Sequence, residues 1–317
     1  MPRCQYHETL SGGIAVNRKP LKNIAASIRQ KILNKSRKER RTFMEQVQYY
    51  AMNRFLYRLS LSPHSGNYIL KGALLLKAWN ASISRPTKDI DFLGKTENNE
   101  HTIANQVRDI CRIAVEPDGL VFDTSSIQTR RIKEGADYEG IHVQLSCKLG
   151  TVRINILIDI GFGDIVHPKY KKVEIPSILD LPSVILPCYS KESIIAEKFE
   201  AMIKLGDLNS RMKDFYDIWF LINHYNFHGK TISEAIRKTF IYRKTVIPEK
   251  ITAFSDSFIQ SKTIQWNAFI RKFKQEDIPS DFKSTISQIR RFFKPILKSI
   301  REGTFHKGRW ISSDPWE

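Results

Sequence analysis

Asp89 and Asp91 stand one residue apart in "DIDFLG", residues 89–94. In a strand, residues two apart point to one face, roughly 6.5–7 Å apart along the chain. Both carboxylates would then share a face, with Ile90 and Phe92 on the other. Like charges so placed repel each other, and burial beside apolar neighbours adds a desolvation cost. A divalent cation between them relieves both, and oxygen-only ligands suit Mg²⁺ or Mn²⁺ better than zinc. Read alone, the pair could equally be solvated or salt-bridged surface.

A third acid stands in "TVRINILIDIGFGD", residues 151–164. There Val152, Ile154, Ile156, Ile158 and Ile160 alternate with Arg153, Asn155, Leu157 and Asp159, as in a half-buried strand. If this strand neighbours residues 88–93, Asp159 completes a three-acid cluster. Such a cluster can place a nucleophile and clamp a phosphate in line. The other possibility is that Asp159 pairs with Arg153 or caps the turn at residues 161–163. Further on, Lys198 interrupts the apolar helical stripe Ile194, Ala201, Leu205. Its ammonium needs a partner there: a triphosphate would serve, or the stem could snorkel at the core's edge. In "NSRMKDFYDIWFL", Met212, Phe215, Tyr216, Trp219 and Ile222 form a core stripe. Asp214 and Asp217, three apart, share the other face, within local reach of Arg211 or Lys213.

The elements that must carry these residues follow from periodicity. Residues 18–41 hold ten basic residues against Glu39 alone, with Ile24, Ile28, Ile32 and Leu33 at helical spacing. This predicts a basic amphipathic helix. A second helix covers "TFMEQVQYYAMNRFLYRLSLS". Tyr68 to Lys71 reads as a short strand leading through Gly72 into the helix-like "ALLLKAW". A strand over "DIDFLG", a helix over 100–115 and strands near 120–132, 141–149 and 151–161 come next. Consecutive strands after a mixed start predict an α+β fold rather than a doubly wound parallel sheet. "HPKYKKVEIPSILDLPSVILPCYS", with Pro168, Pro176, Pro182 and Pro187, reads as an extended connector. From Ser190 to about Ile300 the pattern is helical. We therefore expect a basic helical region at 1–62, a catalytic domain at 63–187 and a helical C-terminal domain at 188–317.

Composition limits the partners. The chain has 51 Lys plus Arg against 33 Asp plus Glu, a formal charge of +18. That surplus favours a polyanion, and nucleic acid over membrane because no strongly apolar amphipathic helix accompanies it. From Lys230 onward there are 18 basic and nine acidic residues, with Arg237, Lys238, Arg243, Lys244, Arg290, Arg291, Lys294 and Lys298 clustered. Aromatics between them suit a folded RNA, although a solvated helix face accounts for part of the density. Cys4, Cys111, Cys147 and Cys188 form no CxxC pair, which argues against a zinc knuckle or a disulfide scaffold. "MPRCQYHETL" lacks the apolar core of a secretory signal, and no apolar run could span a bilayer. A cytoplasmic protein without membrane contact is the expectation.

"KGALLLKAWNASISRPTKDIDFLG" resembles the signature of the AbiEii/AbiGii nucleotidyltransferase toxins, in the DNA polymerase β-like superfamily. The pattern Arg-x-Ser/Thr-x-Asp-Ile/Leu-Asp is matched by Arg85, Thr87, Asp89, Ile90 and Asp91. "IDIGFGD" and "YSKESIIAEKFEAMIKLGDLNSRMKDFYDIWFL" resemble the later blocks, so the likeness spans about residues 66–225. It implies a polymerase β-like catalytic domain with a mixed sheet, followed by a helical domain. The implied activity is metal-dependent transfer of a nucleoside monophosphate from NTP to an acceptor hydroxyl. RNA, specifically a tRNA 3′ end, is the implied acceptor. Asp89, Asp91 and Asp159 would hold Mg²⁺ or Mn²⁺, with Asp159 taking the proton. Lys198 and Asp214 would be functional, and Lys71, Gly72, Ala73, Arg85, Thr87 and Lys198 would meet nucleotide. Ala73 departs from the family's Ser or second Gly after Gly72, leaving backbone N–H groups to bind phosphate. The implied biology is a type IV toxin–antitoxin or abortive-infection toxin, with an antitoxin encoded nearby that acts without a stable complex. A metal-dependent nuclease or phosphodiesterase, or a non-catalytic nucleic-acid-binding protein, are the alternatives that the same residues allow.

Overall fold

The computed structural model describes residues 23–79, 86–133, 139–271, 279, 281–312 and 316. Two helices come first, α1 (Ile24–Lys38) and α2 (Phe43–Leu61). Asn23 and Thr42 start them by accepting from the amides of Ala26 and Glu45, satisfying N–H groups that have no partner inside the helix. Then follow β1 (Tyr68–Lys71), α3 (Gly72–Trp79), β2 (Asp89–Gly94) and α4 (Glu100–Arg112). Five strands succeed them: β3 (Leu120–Lys133), β4 (Glu139–Leu149), β5 (Val152–Phe162), β6 (Lys171–Ile175) and β7 (Val184–Cys188). The remainder comprises α5 (Lys191–Leu205), α6 (Met212–His224), β8 (Phe227–His228), α7 (Gly229–Tyr242), α8 (Asp256–Ile270), α9 (Phe282–Arg301) and β9 (Arg309–Trp310).

The seven strands β1–β7 form one sheet in the order β3-β4-β5-β2-β1-β7-β6. The β2–β5 and β1–β7 pairs are parallel and the others antiparallel, so the sheet is mixed as expected. Alternation divides its faces. Ile154, Ile156, Ile158 and Ile160 of β5 and Ile141, Val143, Leu145 and Cys147 of β4 are all buried. Beside the sheet lies α2, which is buried on every side from Val47 to Leu59 apart from Gln48. Burial here reaches even Arg54 and Arg58, which meet Asp118 at 3.1 and 2.6 Å. A lone buried cation would cost several kcal/mol, and Asp118 offsets that cost.

The proline-spaced segment is not a plain connector. It contains β6 and β7, paired from Lys171↔Cys188 to Ile175↔Val184, and β7 joins β1 through Leu70↔Cys188. Pro176 and Pro182 lie just outside the two strands, where a missing N–H costs no ladder bond. Among the described residues from 190 onward, the regular elements are helices apart from the ribbon of Phe227–His228 against Arg309–Trp310. Phe282, Ile286, Ile289, Phe293 and Ile296 of α9 point inward, and Phe293 stacks on Phe199 of α5. The basic segment predicted over 18–41 is helical over Ile24–Lys38, and residues 18–22 lie outside the described residues. Among the described residues no helix is long and apolar enough to cross a membrane.

Candidate active site

Strand register assembles the three acids. Lys71 on β1 lies opposite Asp91 on β2, and Asp91 lies opposite Asp159 on β5. Directly paired residues share a face, so all three point to the side opposite the isoleucine core. Asp89 precedes Asp91 by two and joins that face. One carboxylate oxygen from each of Asp89, Asp91 and Asp159 lies within 4.8 Å of the others, close enough for a shared cation. Burial, helped by Asp89, pushes Asp91 up to about 6 against the opposing pull of Lys71 and Lys213. Three hard oxygen donors whose mutual repulsion a cation would relieve fit Mg²⁺ or Mn²⁺.

Two neighbours fix the orientation of these acids. The Thr87 hydroxyl donates to Asp89 Oδ1, and His142 Nδ1 lies 2.6 Å from Asp159 Oδ1. His142 is the register partner of Asp159 on β4. Neither Arg153 nor a turn cap takes that place, because Arg153 lies six positions back, opposite Lys148. Gly72 begins α3 with φ +72°, where an L side chain is strained. A Cβ built there would sit 1.9 Å from Asp91 Oδ2, so the Asp91 carboxylate occupies the space that glycine leaves. Ala73 is buried and does not line the pocket. The departure from Ser or Gly therefore removes no side chain from the pocket wall. Arg85 lies outside the described residues.

The acids open onto a pocket also lined by Lys71, Gly72, Lys198, Arg211, Lys213 and Asp214. Ser190 caps α5 by accepting from the Ser193 amide, and α5 carries Lys198 into this wall. Lys198 Nζ sits 2.7 Å from Asp214 and 2.8 Å from Asp217, so it is an ion-paired lysine at the pocket edge. The two acids do not form a solvated face of α6. Both are buried, because α5, α8 and α9 pack around that helix. Arg211 also reaches Asp214, at 2.9 Å.

A second network lies behind Lys71. Its ammonium is 3.1 Å from Asp164 and 3.3 Å from Glu197, while Arg243 bridges Asp164 and Glu200 at 2.8 Å each. Burial pushes Glu197 above the usual carboxylate range, with Lys71 opposing. Burial also disfavours the Arg243 charge, but Glu197 and Asp164 outweigh it and hold the guanidinium protonated. Lys71 is among the residues that the resemblance assigns to nucleotide, whereas Asp164, Glu197, Glu200 and Arg243, with His142 and the lining cations Arg211 and Lys213, were not assigned to the site from sequence. Only the "RMKD" stretch carried a signal, in two cations just before Asp214.

Comparison with known families decides the relationship. The family described as nucleotidyl transferase AbiEii toxin, type IV TA system, matches residues 54–288. The chain belongs to the AbiEii family. The match takes in every site residue named above, from the β1–α3 turn to α6 and Arg243. Among solved structures, a Helicobacter pylori protein assigned as a nucleotidyltransferase is similar at 15% identity and TM-score 0.44. That likeness covers 80% of this chain and 95% of the other. JHP933 from Helicobacter pylori is similar at 15% identity and TM-score 0.42, covering 80% and 91%. No curated protein matches in sequence. AbiEii membership implies nucleotidyl transfer and an antitoxin partner.

Proposed function

We propose that this AbiEii-family chain moves a nucleoside monophosphate from an NTP to an acceptor hydroxyl, releasing pyrophosphate. The acceptor is RNA, foremost a tRNA 3′ end. One observation carries this reading. Asp89, Asp91 and Asp159 converge beside the Gly72 turn, in a pocket also lined by Lys198, Arg211 and Lys213. Acids alone would suit many metal sites, but acids sharing a pocket with three cations suit a triphosphate that brings its own negative charge.

Asp89, Asp91 and Asp159 would hold Mg²⁺ or Mn²⁺, which when bound neutralises phosphoryl charge and acidifies the attacking hydroxyl. The backbone N–H groups at the start of α3 bind phosphate oxygens. Lys198, held by Asp214 and Asp217, meets the β- and γ-phosphates with Arg211 and Lys213. The acceptor oxygen forms its bond to the α-phosphorus as the bond to pyrophosphate breaks. Its proton passes to Asp159 Oδ2, because Oδ1 is engaged by His142. Charge on the departing pyrophosphate is stabilised by the same cations.

A polyanionic acceptor fits the surface. Lys283, Arg290, Arg291, Lys294 and Lys298 are exposed along one side of α9, consistent with the basic cluster read from sequence. Toxicity would follow from blocking RNA ends, and a cognate antitoxin would restrain it without a stable complex. The deciding experiment incubates the protein with Mg²⁺, each labelled NTP and total tRNA. Label on RNA, abolished by Asp89→Ala, is the expected result. Shortened RNA would mean a nuclease, and a gel shift without either product would mean a binding protein.

A further inference from the structure

The register that aligns the aspartates continues past them to the sheet edge. Asp159 pairs with His142 on β4, and His142 pairs with Arg130 on β3. Lys71, Asp91, Asp159, His142 and Arg130 therefore form one row across five strands on one face. Steps of two along the strands keep to that face, bringing Gln128 opposite Gln144 and Lys148 opposite Arg153. Gln128, Arg130, Lys148 and Arg153 are exposed, and His142 and Gln144 are half-buried. The reverse face of these strands carries the buried isoleucine core, so this face is the solvated one.

The pocket's cations are distributed unevenly about the acids. Lys71, Lys198, Arg211 and Lys213 stand on the β1, α5 and α6 side, where the triphosphate belongs. Strands β3 and β4 lie on the other side of Asp159, the side left for the attacking hydroxyl. Arg130 is two strand spacings from Asp159, roughly 10 Å, and Arg153 six residues back along β5, roughly 20 Å. Asp123 is the acid among the exposed side chains of this face. Phe, Tyr and Trp side chains are absent from it among the described residues: Phe122 pairs with Cys147 on the core face, and the one ring on this face, His142, is held against Asp159.

We propose that the outer face of β3–β5 docks the single-stranded 3′ end of the RNA acceptor. Its backbone would run past Lys148, Arg153 and Arg130 to place the terminal hydroxyl at Asp159. The inference rests on the nucleotidyltransferase reading and adds to it the acceptor's route. Cations without stacking platforms hold phosphates and do not read bases, so binding is sequence-tolerant and strongly salt-dependent.

The test uses the full chain and a fluorescein-labelled single-stranded RNA of mixed sequence, titrated by anisotropy over a range of KCl without NTP. Arg130→Gln raises the dissociation constant and the acceptor KM about tenfold, the scale of one charge-assisted phosphate hydrogen bond. Arg130→Lys, which keeps the charge, restores most of that loss. The triple change Arg130→Gln, Lys148→Gln, Arg153→Gln lowers the salt slope by about 0.7 for each phosphate that is no longer neutralised. All three positions are exposed, so melting temperature and the KM for NTP stay at wild-type values. If the triple variant labels RNA with unchanged acceptor KM and salt slope, the docking surface falls while nucleotidyl transfer stands. If the wild type binds RNA through these cations but transfers nothing, the surface stands and the transfer reading falls.

Discussion

The acids of the sheet and the acids of the helices solve opposite problems. Asp164, Glu200, Asp214 and Asp217 are almost fully buried, and each has a Lys or Arg nitrogen within 2.9 Å. Asp89, Asp91 and Asp159 instead crowd one another, with Thr87 and His142 as their orienting neighbours. A compensated buried acid costs little while its partner stays and a great deal once the partner goes. A cluster whose members repel one another costs free energy continuously, which a bound cation would offset. The helical pairs therefore hold the architecture, while the sheet cluster is one that could hold a cation.

Asp91→Asn tests this contrast with the largest expected effect. It lowers kcat/KM for nucleotidyl transfer by about a thousandfold or more, because a ligand and its charge are lost. The same change raises the melting temperature at pH 7.5 in EDTA. In the wild type, the folded-state pKa of about 6 lies above the unfolded value of 3.8, so the native state binds more protons between them. Stability then falls by about 3 kcal/mol as pH rises through that window. The Asn variant lacks this loss, and denaturant melts at pH 4, 5 and 7 in EDTA would show it. A variant that melts lower than wild type at pH 7.5 would place Asp91 with the architectural acids.

Lys198→Met probes the other side. It leaves Asp214 and Asp217 buried without the ammonium between them and costs about 3 kcal/mol of stability. Adding Asp217→Asn removes one stranded charge and recovers part of that loss, read in the same melts, without recovering transfer. Equal stability of Lys198→Met and wild type would show that the helical acids, too, are kept for a ligand.

The same contrast governs what could be read from the residues. Asp89, Asp91 and Asp159 were legible because a strand's period of two fixes their face, and the apolar alternation of β5 identifies the strand. Their convergence follows once those strands are neighbours. The Lys71 network was not legible, because Lys71 meets Asp164 and Glu197 at separations of 93 and 126 residues. No local period encodes such a meeting. Strands β6 and β7 were hidden by their prolines: Pro176 and Pro182 lie just outside them, and Pro187 is accommodated within β7 opposite Lys172. Asp214 and Asp217 were placed on an outer face because one apolar stripe was counted, whereas α6 is surrounded. His142 was missed because it becomes a partner of Asp159 only through the β4–β5 register.

Gly72 is where the two kinds of site touch, and its substitution has the smallest expected effect on stability. Gly72→Ala must accept φ +72°, which costs about 1–2 kcal/mol for a residue with a Cβ. The new methyl also meets Asp91 Oδ2, so the carboxylate must turn away from Asp89 and Asp159. Turning away relieves some like-charge repulsion and offsets part of the backbone strain, which keeps the net loss small. Transfer suffers more than stability, since the carboxylate that moves is one of the three that would hold the cation. The expected pattern is a melting temperature lowered by a few degrees and a weakened Mg²⁺ dependence. Combining Gly72→Ala with Asp91→Asn should then cost more in stability than the two separate changes predict, because the repulsion that turning the carboxylate relieves is already absent in the Asn variant. Additive effects would mean that the glycine serves the turn alone and that the fit against Asp91 is incidental.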